Sequence, residues 1–193
     1  MKGIIISGSN TIKREIVPSG THIAVCYSMI HIGNVEWEYQ GEKKISNKVR
    51  LSFELSNELR EFGDIKKPLV ISKEYTLSLH EKSNLRKDLE SWRGVAFTNN
   101  DLRNFDLTNL LGISCMISII HKTSNSGSDY ALIGNVSALT KGIEIPKQFN
   151  KNFIFNYNDN FNEIWLEDQP DWIQEQIKST EDYQNKITEI DHM

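Results

Sequence analysis

The 193-residue chain is long enough for one domain with a sizeable core plus an appendage, and short for two full domains. Its 25% charged and 38% hydrophobic residues include no run near the roughly 18 consecutive apolar residues of a membrane helix, which excludes that class. The net charge of -4 hides an asymmetry about Lys147: residues 1–147 carry a net +3 and residues 148–193 a net -7.

The opening run Met1-Lys2-Gly3-Ile4-Ile5-Ile6-Ser7 has one cation and an apolar stretch below the roughly 7–15 residues of a signal-peptide core, so a cytoplasmic protein is expected. From Thr21 the sequence alternates, with Ile23, Val25, Tyr27 and Met29 on one side in period two, which predicts a first strand ending at Gly33-Asn34. A second strand is predicted over 48–56, where Val49, Leu51, Phe53 and Leu55 alternate without interruption. The β-branched and aromatic content of 69–79 suits a third.

The period then changes. Leu85, Leu89 and Trp92 fall at i, i+4 and i+7, with Ser83 placed to cap the start of a helix and Gly94 its end. Thr98 and Asp101 have the spacing of a capping box, and 105–112 reads as a short helical turn closed by glycine. Strand patterning resumes over 115–121 and 130–139, separated by the flexible connection 124–129. Three strands, a helix and two strands is the element order of the OB-fold, a five-stranded Greek-key barrel with a helix between strands three and four. The expected fold is therefore mainly β and OB-fold-like over 1–147. Residues 148–193 are expected to form an acidic tail that is partly helical, with a helix starting at Pro170, or disordered.

The residue inventory offers little to an enzyme. His22, His31, His80, His121 and His192 form neither HxH nor HxxxH, Cys26 and Cys115 form no CxxC, and there is no GxxxxGK[ST], GxGxxG or GxSxG. No catalysis, metal or cofactor is expected, and the two cysteines are expected as reduced, packed thiols. A single-strand binder needs cations that follow phosphates and rings on which bases stack. Trp37 and Tyr39 share one side of an alternating stretch, with Lys43, Lys44, Lys48 and Arg50 close behind, and Lys73 and Tyr75 lie two apart on the third strand. These eight residues form the candidate nucleic-acid site. The competing reading puts Tyr75 in the core and leaves the lysines as a solvated face. On the helix, Lys82, Arg86, Lys87 and Arg93 alternate with acids and read as a solvated face, with Trp92 in the core.

The run Lys73-Glu-Tyr-Thr-Leu-Ser-Leu-His-Glu-Lys-Ser-Asn-Leu-Arg-Lys-Asp-Leu-Glu-Ser-Trp-Arg-Gly94, followed by Phe97-Thr98, 105–112 and Cys115, resembles a family of small phage and prophage proteins. They sit among replication and recombination functions and look like OB-fold single-stranded DNA-binding proteins. The likeness spans about residues 18–139, and Pro170-Asp-Trp-Ile is similar to their tail. It implies sequence-tolerant binding of single-stranded DNA in the host cytoplasm. RNA is not distinguished from DNA by these residues. Further expected partners are replication or recombination proteins, met through the acidic tail, and a second copy of the chain. A free acidic segment would compete with phosphate for the basic groove. The rival reading is a protein-interaction scaffold for a phage recombinase, helicase or host factor.

Overall fold

The alternation that begins near Thr21 does not stop at Gly33. The computed structural model describes residues 16–145 and 147–192, which leaves the Met1–Ser7 run outside the described residues. In it β1 covers Gly20–Tyr39 and β2 Glu42–Phe62. Gln40 and Gly41 join them with φ of 53° and 80°, the paired positive values of the turn that matches strand twist in a two-residue hairpin. The chain continues through β3 (Ile65–Thr76), α1 (Asn84–Arg93), α2 (Asp101–Asn104), a 3-10 turn at Leu107–Leu110, β4 (Ser114–Thr123) and β5 (Asp129–Ser137). The strands are antiparallel in the order β3-β2-β1-β4-β5 and curl strongly into a half-barrel. This is the expected OB-fold-like arrangement, in which β4 returns across the barrel to pair with β1.

α1 fills the seam that the sheet leaves open between its edge strands β3 and β5, packing on both. Its apolar stripe is the one expected: Leu85, Leu89 and Trp92 are buried, and the Trp92 ring lies 5.7 Å from that of Phe53. Ser83 Oγ accepts from the Arg86 backbone N–H at 3.1 Å, and Gly94 ends the helix at φ 69°. The capping box also forms. Thr98 N donates to Asp101 Oδ2 at 2.9 Å, and Asp101 N donates to Thr98 Oγ1 at 3.2 Å.

On β2 the inward set is the expected one, with Val49, Leu51, Phe53 and Leu55 all in the barrel core. On β1 it is not. The barrel core holds Ala24 and Cys26 in place of Ile23 and Val25, and a register shift between Cys26 and Ser28, with Tyr27 as the extra residue, reverses the alternation and brings Met29 to the same side. A second shift, between His31 and Gly33, carries the strand past its expected end. Between them these bulges turn Ile30 and Ile32 to the outer face.

The described residues of 148–193 are partly helical, with the helix expected from Pro170 in place, and they fold onto the barrel. β6 (Phe153–Phe155) pairs in parallel with Ser28–Ile30, the length of β1 that β4 leaves free after Val25, and α3 (Glu163–Glu167), α4 (Asp171–Lys178) and α5 (Glu181–Asp191) follow. Phe155, Leu166, Ile173, Ile177 and Tyr183 form a second core with Ile30 and Ile32. Sparse aromatics in an acidic background suffice here because the bulged outer face of β1 supplies the apolar partner. Glu54 holds the entry to this annex. It has no exposed surface, and its oxygens accept from Phe149 N, Asn150 N and Asn150 Nδ2, each at 2.7 Å. At Gly33 (φ 100°) a Cβ would stand 2.9 Å from Asp182 Oδ2, which instead accepts from Asn34 N at 2.7 Å. The glycine read as a strand break is the contact point of α5. Among the described residues no helix is long and apolar enough to cross a membrane.

Candidate nucleic-acid interface

The β1–β2 hairpin reaches beyond the barrel core and presents alternate residues on each face. On β1, Val35, Trp37 and Tyr39 share one face; across the ladder Trp37 stands opposite Lys44 and Tyr39 opposite Glu42. Trp37 and Tyr39 are 44% and 51% exposed, and their rings are tilted at 52° with centres 6.1 Å apart. Trp37 Nε1 donates to Ser46 Oγ at 2.8 Å, which fixes the indole, while Lys44 Nζ lies 5.0 Å from the Tyr39 ring centre. Two open rings and an ammonium group on one face are what stacking plus phosphate contact require.

The other expected cations are spread more widely. Lys43 faces the opposite side of the hairpin and donates to Glu36 at 3.2 Å. Lys44 has Glu42 at 3.8 Å; such exposed pairs contribute about 0–1 kcal/mol and exchange readily for a phosphate. Lys48 donates weakly to Thr76 Oγ1 at 3.4 Å. Arg50 Nη1 donates to Glu74 Oε1 at 3.0 Å, and its guanidinium lies 4.7 Å from the Trp172 ring centre.

Lys73 and Tyr75 do not join this surface. Their side chains meet α1 at the barrel seam, where Lys73 Nζ and Tyr75 Oη both donate to Asp88 Oδ2 at 2.7 Å. Lys73 also reaches Gly134 O on β5 at 3.4 Å, so it helps close the seam. Tyr75 is 3% exposed; burial, and then the Asp88 carboxylate, hold its hydroxyl far above the ordinary tyrosine range. A ring in that setting offers no face to a base, so Tyr75 belongs to the core, while Lys73, whose side chain is half-buried, is held in the seam by Asp88.

Two features escaped the sequence reading. Lys122 and Tyr130 are cross-strand partners beside the β4–β5 turn, and Tyr130 is 44% exposed, which sets an open ring and a cation at neighbouring positions. The predicted hairpin carried a signal for it, since both residues flank the 124–129 connection. Trp172 had no such signal, because nothing local to Pro170-Asp-Trp-Ile places it over Arg50. The remaining chemistry is quiet. Cys26 and Cys115 are free and buried, and burial pushes the Cys26 thiol up to about 12, against a lesser opposing hydrogen bond from the Ser28 backbone. Among the described residues no cluster of three or more His, Cys, Asp or Glu could hold a metal. No protein-family model and no curated protein matches the chain.

Proposed function

We propose that the protein binds single-stranded DNA without sequence preference and without catalysis, in a phage-type replication or recombination setting. The observation that carries this reading is the shared face of Trp37, Tyr39 and Lys44 on a projecting hairpin of an OB-fold-like barrel, where L12-type hairpins and strand faces serve oligonucleotides. Stacking on rings discriminates little between bases, since every base has a π-face. Replication or recombination as the setting rests on the family resemblance of 73–115.

Titration of labelled oligo-dT tests the reading. Affinity is expected to fall as salt rises, because each neutralised phosphate releases counterion, and Trp37→Ala is expected to cost about 1–3 kcal/mol of binding. Binding that is absent, or indifferent to salt and to Trp37, overturns it. Duplex DNA and RNA competitors separate the nucleic-acid classes.

The scaffold reading draws on a different observation: Lys43 and Lys44 are each paired with a glutamate on the hairpin itself, so its surface is close to electroneutral. Recovery of one stoichiometric protein partner after nuclease treatment, with no oligo-dT binding, favours it.

A further inference from the structure

Arg50 was expected to contact phosphate, yet its guanidinium is already engaged. Glu74 accepts one of its N–H groups, and the Trp172 ring covers it at 4.7 Å. Gln176, one turn along α4, donates from Nε2 to the second Glu74 oxygen at 3.2 Å. The Arg50–Glu74 pair therefore grips the helix at two successive turns. An aromatic side chain held in this way loses little freedom when a ligand ring lies on it. It also remains open: Trp172 is 49% exposed, against 5% for Trp92.

Trp172 lies on the same side of the sheet as the hairpin rings. Arg50 stands opposite Ile30, whose side chain enters the annex core with Ile173 and Ile177. Val35 packs on that same core, and Trp37 and Tyr39 follow it in period two on the same face. Lys44, opposite Trp37, and Arg50 are six residues apart on β2, with Lys48 between them. At about 3.3 Å per residue the span is about 20 Å, within reach of the roughly 4–16 nucleotides that one OB fold engages.

Acids border this path without closing it. Asp182 is committed to Asn34 N and Nδ2. Asp171 and Glu175 lie on a stripe of α4 turned about 100° from the stripe of Trp172 and Gln176, given 3.6 residues per turn. Stacking an uncharged base on an indole is also less sensitive to nearby carboxylates than a phosphate contact is.

We infer that Trp172, supplied by the folded acidic annex, is a third stacking platform for single-stranded DNA, and that Arg50 positions the ring and makes no phosphate contact. The inference rests on the single-strand reading and reverses the role expected of the acidic segment, which contributes to the site and does not compete for it.

The test uses the full chain, fluorescence anisotropy of labelled oligo-dT, and the variants Trp172→Ala, Trp172→Phe, Trp37→Ala, Arg50→Lys and Arg50→Gln. Trp172→Ala is expected to weaken binding roughly 5- to 150-fold, and Trp172→Phe to restore most of the loss. Arg50→Lys, which loses the planar cation under the ring, is expected to weaken binding with the salt dependence unchanged. If Trp37→Ala weakens binding while Trp172→Ala leaves it unchanged or tightens it, the platform is overturned and the single-strand reading stands. Arg50→Lys binding as tightly as wild type overturns the positioning role, as does a flatter salt dependence in Arg50→Gln, which removes the charge. If the wild-type chain does not bind oligo-dT, the single-strand reading fails and the platform with it.

Discussion

Tyr39 and Tyr75 look alike in sequence and in local geometry, each on a long antiparallel strand with a lysine ammonium 5.0 Å and 5.1 Å from its ring centre. They differ in what surrounds the pair. Tyr39 is on a hairpin that has outrun the barrel and is 51% exposed, whereas Tyr75 is 3% exposed under α1 with its hydroxyl bonded to Asp88. A ring beside a cation is thus a binding element in one place and part of a packed seam in the other. Period two decides which residues share a face, but the helix that covers the seam decides which face is lost to ligand.

The largest expected effect sharpens this contrast. Tyr75→Ala removes a buried aromatic and leaves the Asp88–Lys73 pair without its third member, and is expected to cost about 3–5 kcal/mol of stability in urea unfolding. Tyr39→Ala is expected to change stability by no more than about 0.5 kcal/mol while costing about 1–3 kcal/mol in oligo-dT binding. A Tyr75→Ala protein of near wild-type stability, or a strongly destabilised Tyr39→Ala protein, would break the distinction.

Glu54 and its three N–H donors extend the comparison to the annex. Glu54→Ala leaves three N–H donors unmatched and opens a cavity at a fully buried site, and is expected to cost roughly 3 kcal/mol, with Glu54→Gln, which retains one acceptor oxygen, costing about half as much. The urea midpoint reads both. Equal, small losses would mean that 148–150 finds water in place of the carboxylate. A chain ended at Lys147 would also expose Ile30 and Ile32, so truncation tests folding before it tests competition for DNA.

The smallest effect concerns the capping box. The Thr98 backbone N–H first, then the Thr98 hydroxyl and Arg93, hold the Asp101 carboxyl below the usual aspartate range. Between the folded and unfolded pKa values the native state binds fewer protons, so this stabilisation is present above the unfolded value and is lost as pH falls through the folded one. Asp101→Asn is expected to flatten the acid limb of the stability profile slightly, measured by thermal unfolding at stepped pH. An unchanged limb would leave the cap without an electrostatic role.

Much of the barrel was legible because its signals are local. The uninterrupted alternation of 49–55, the Leu85/Leu89/Trp92 stripe, and the caps at Ser83 and Gly94 each depend on residues within a few positions of one another. On β1 the period did not say which set faces the barrel, since Ala24, Val25 and Cys26 are all buried, and the bulge at Tyr27 that brings Met29 in has no composition of its own and exists only against the register of β2. Of the candidate site, Trp37 and Tyr39 share a face as the spacing implied, and Lys44 joins them because β1 runs on past Gly33 into a tight hairpin. Lys73 and Tyr75 do not, because their partner Asp88 lies on a different element.

The sequence by itself determined the order of elements, the mainly β class, the helix and its caps, and the division of charge about Lys147. All of these are set by short-range periodicity, backbone preference or composition. Only the tertiary structure decided that the acidic segment folds and where its aromatics go. That outcome depends on an apolar outer face of β1 created by two bulges, a free length of strand edge that β6 takes, and a buried carboxylate on β2. None of these is local: the bulges exist only against β2, the free edge of β1 is taken by β6, and the Glu54 carboxylate meets N–H groups 95 and 96 residues away.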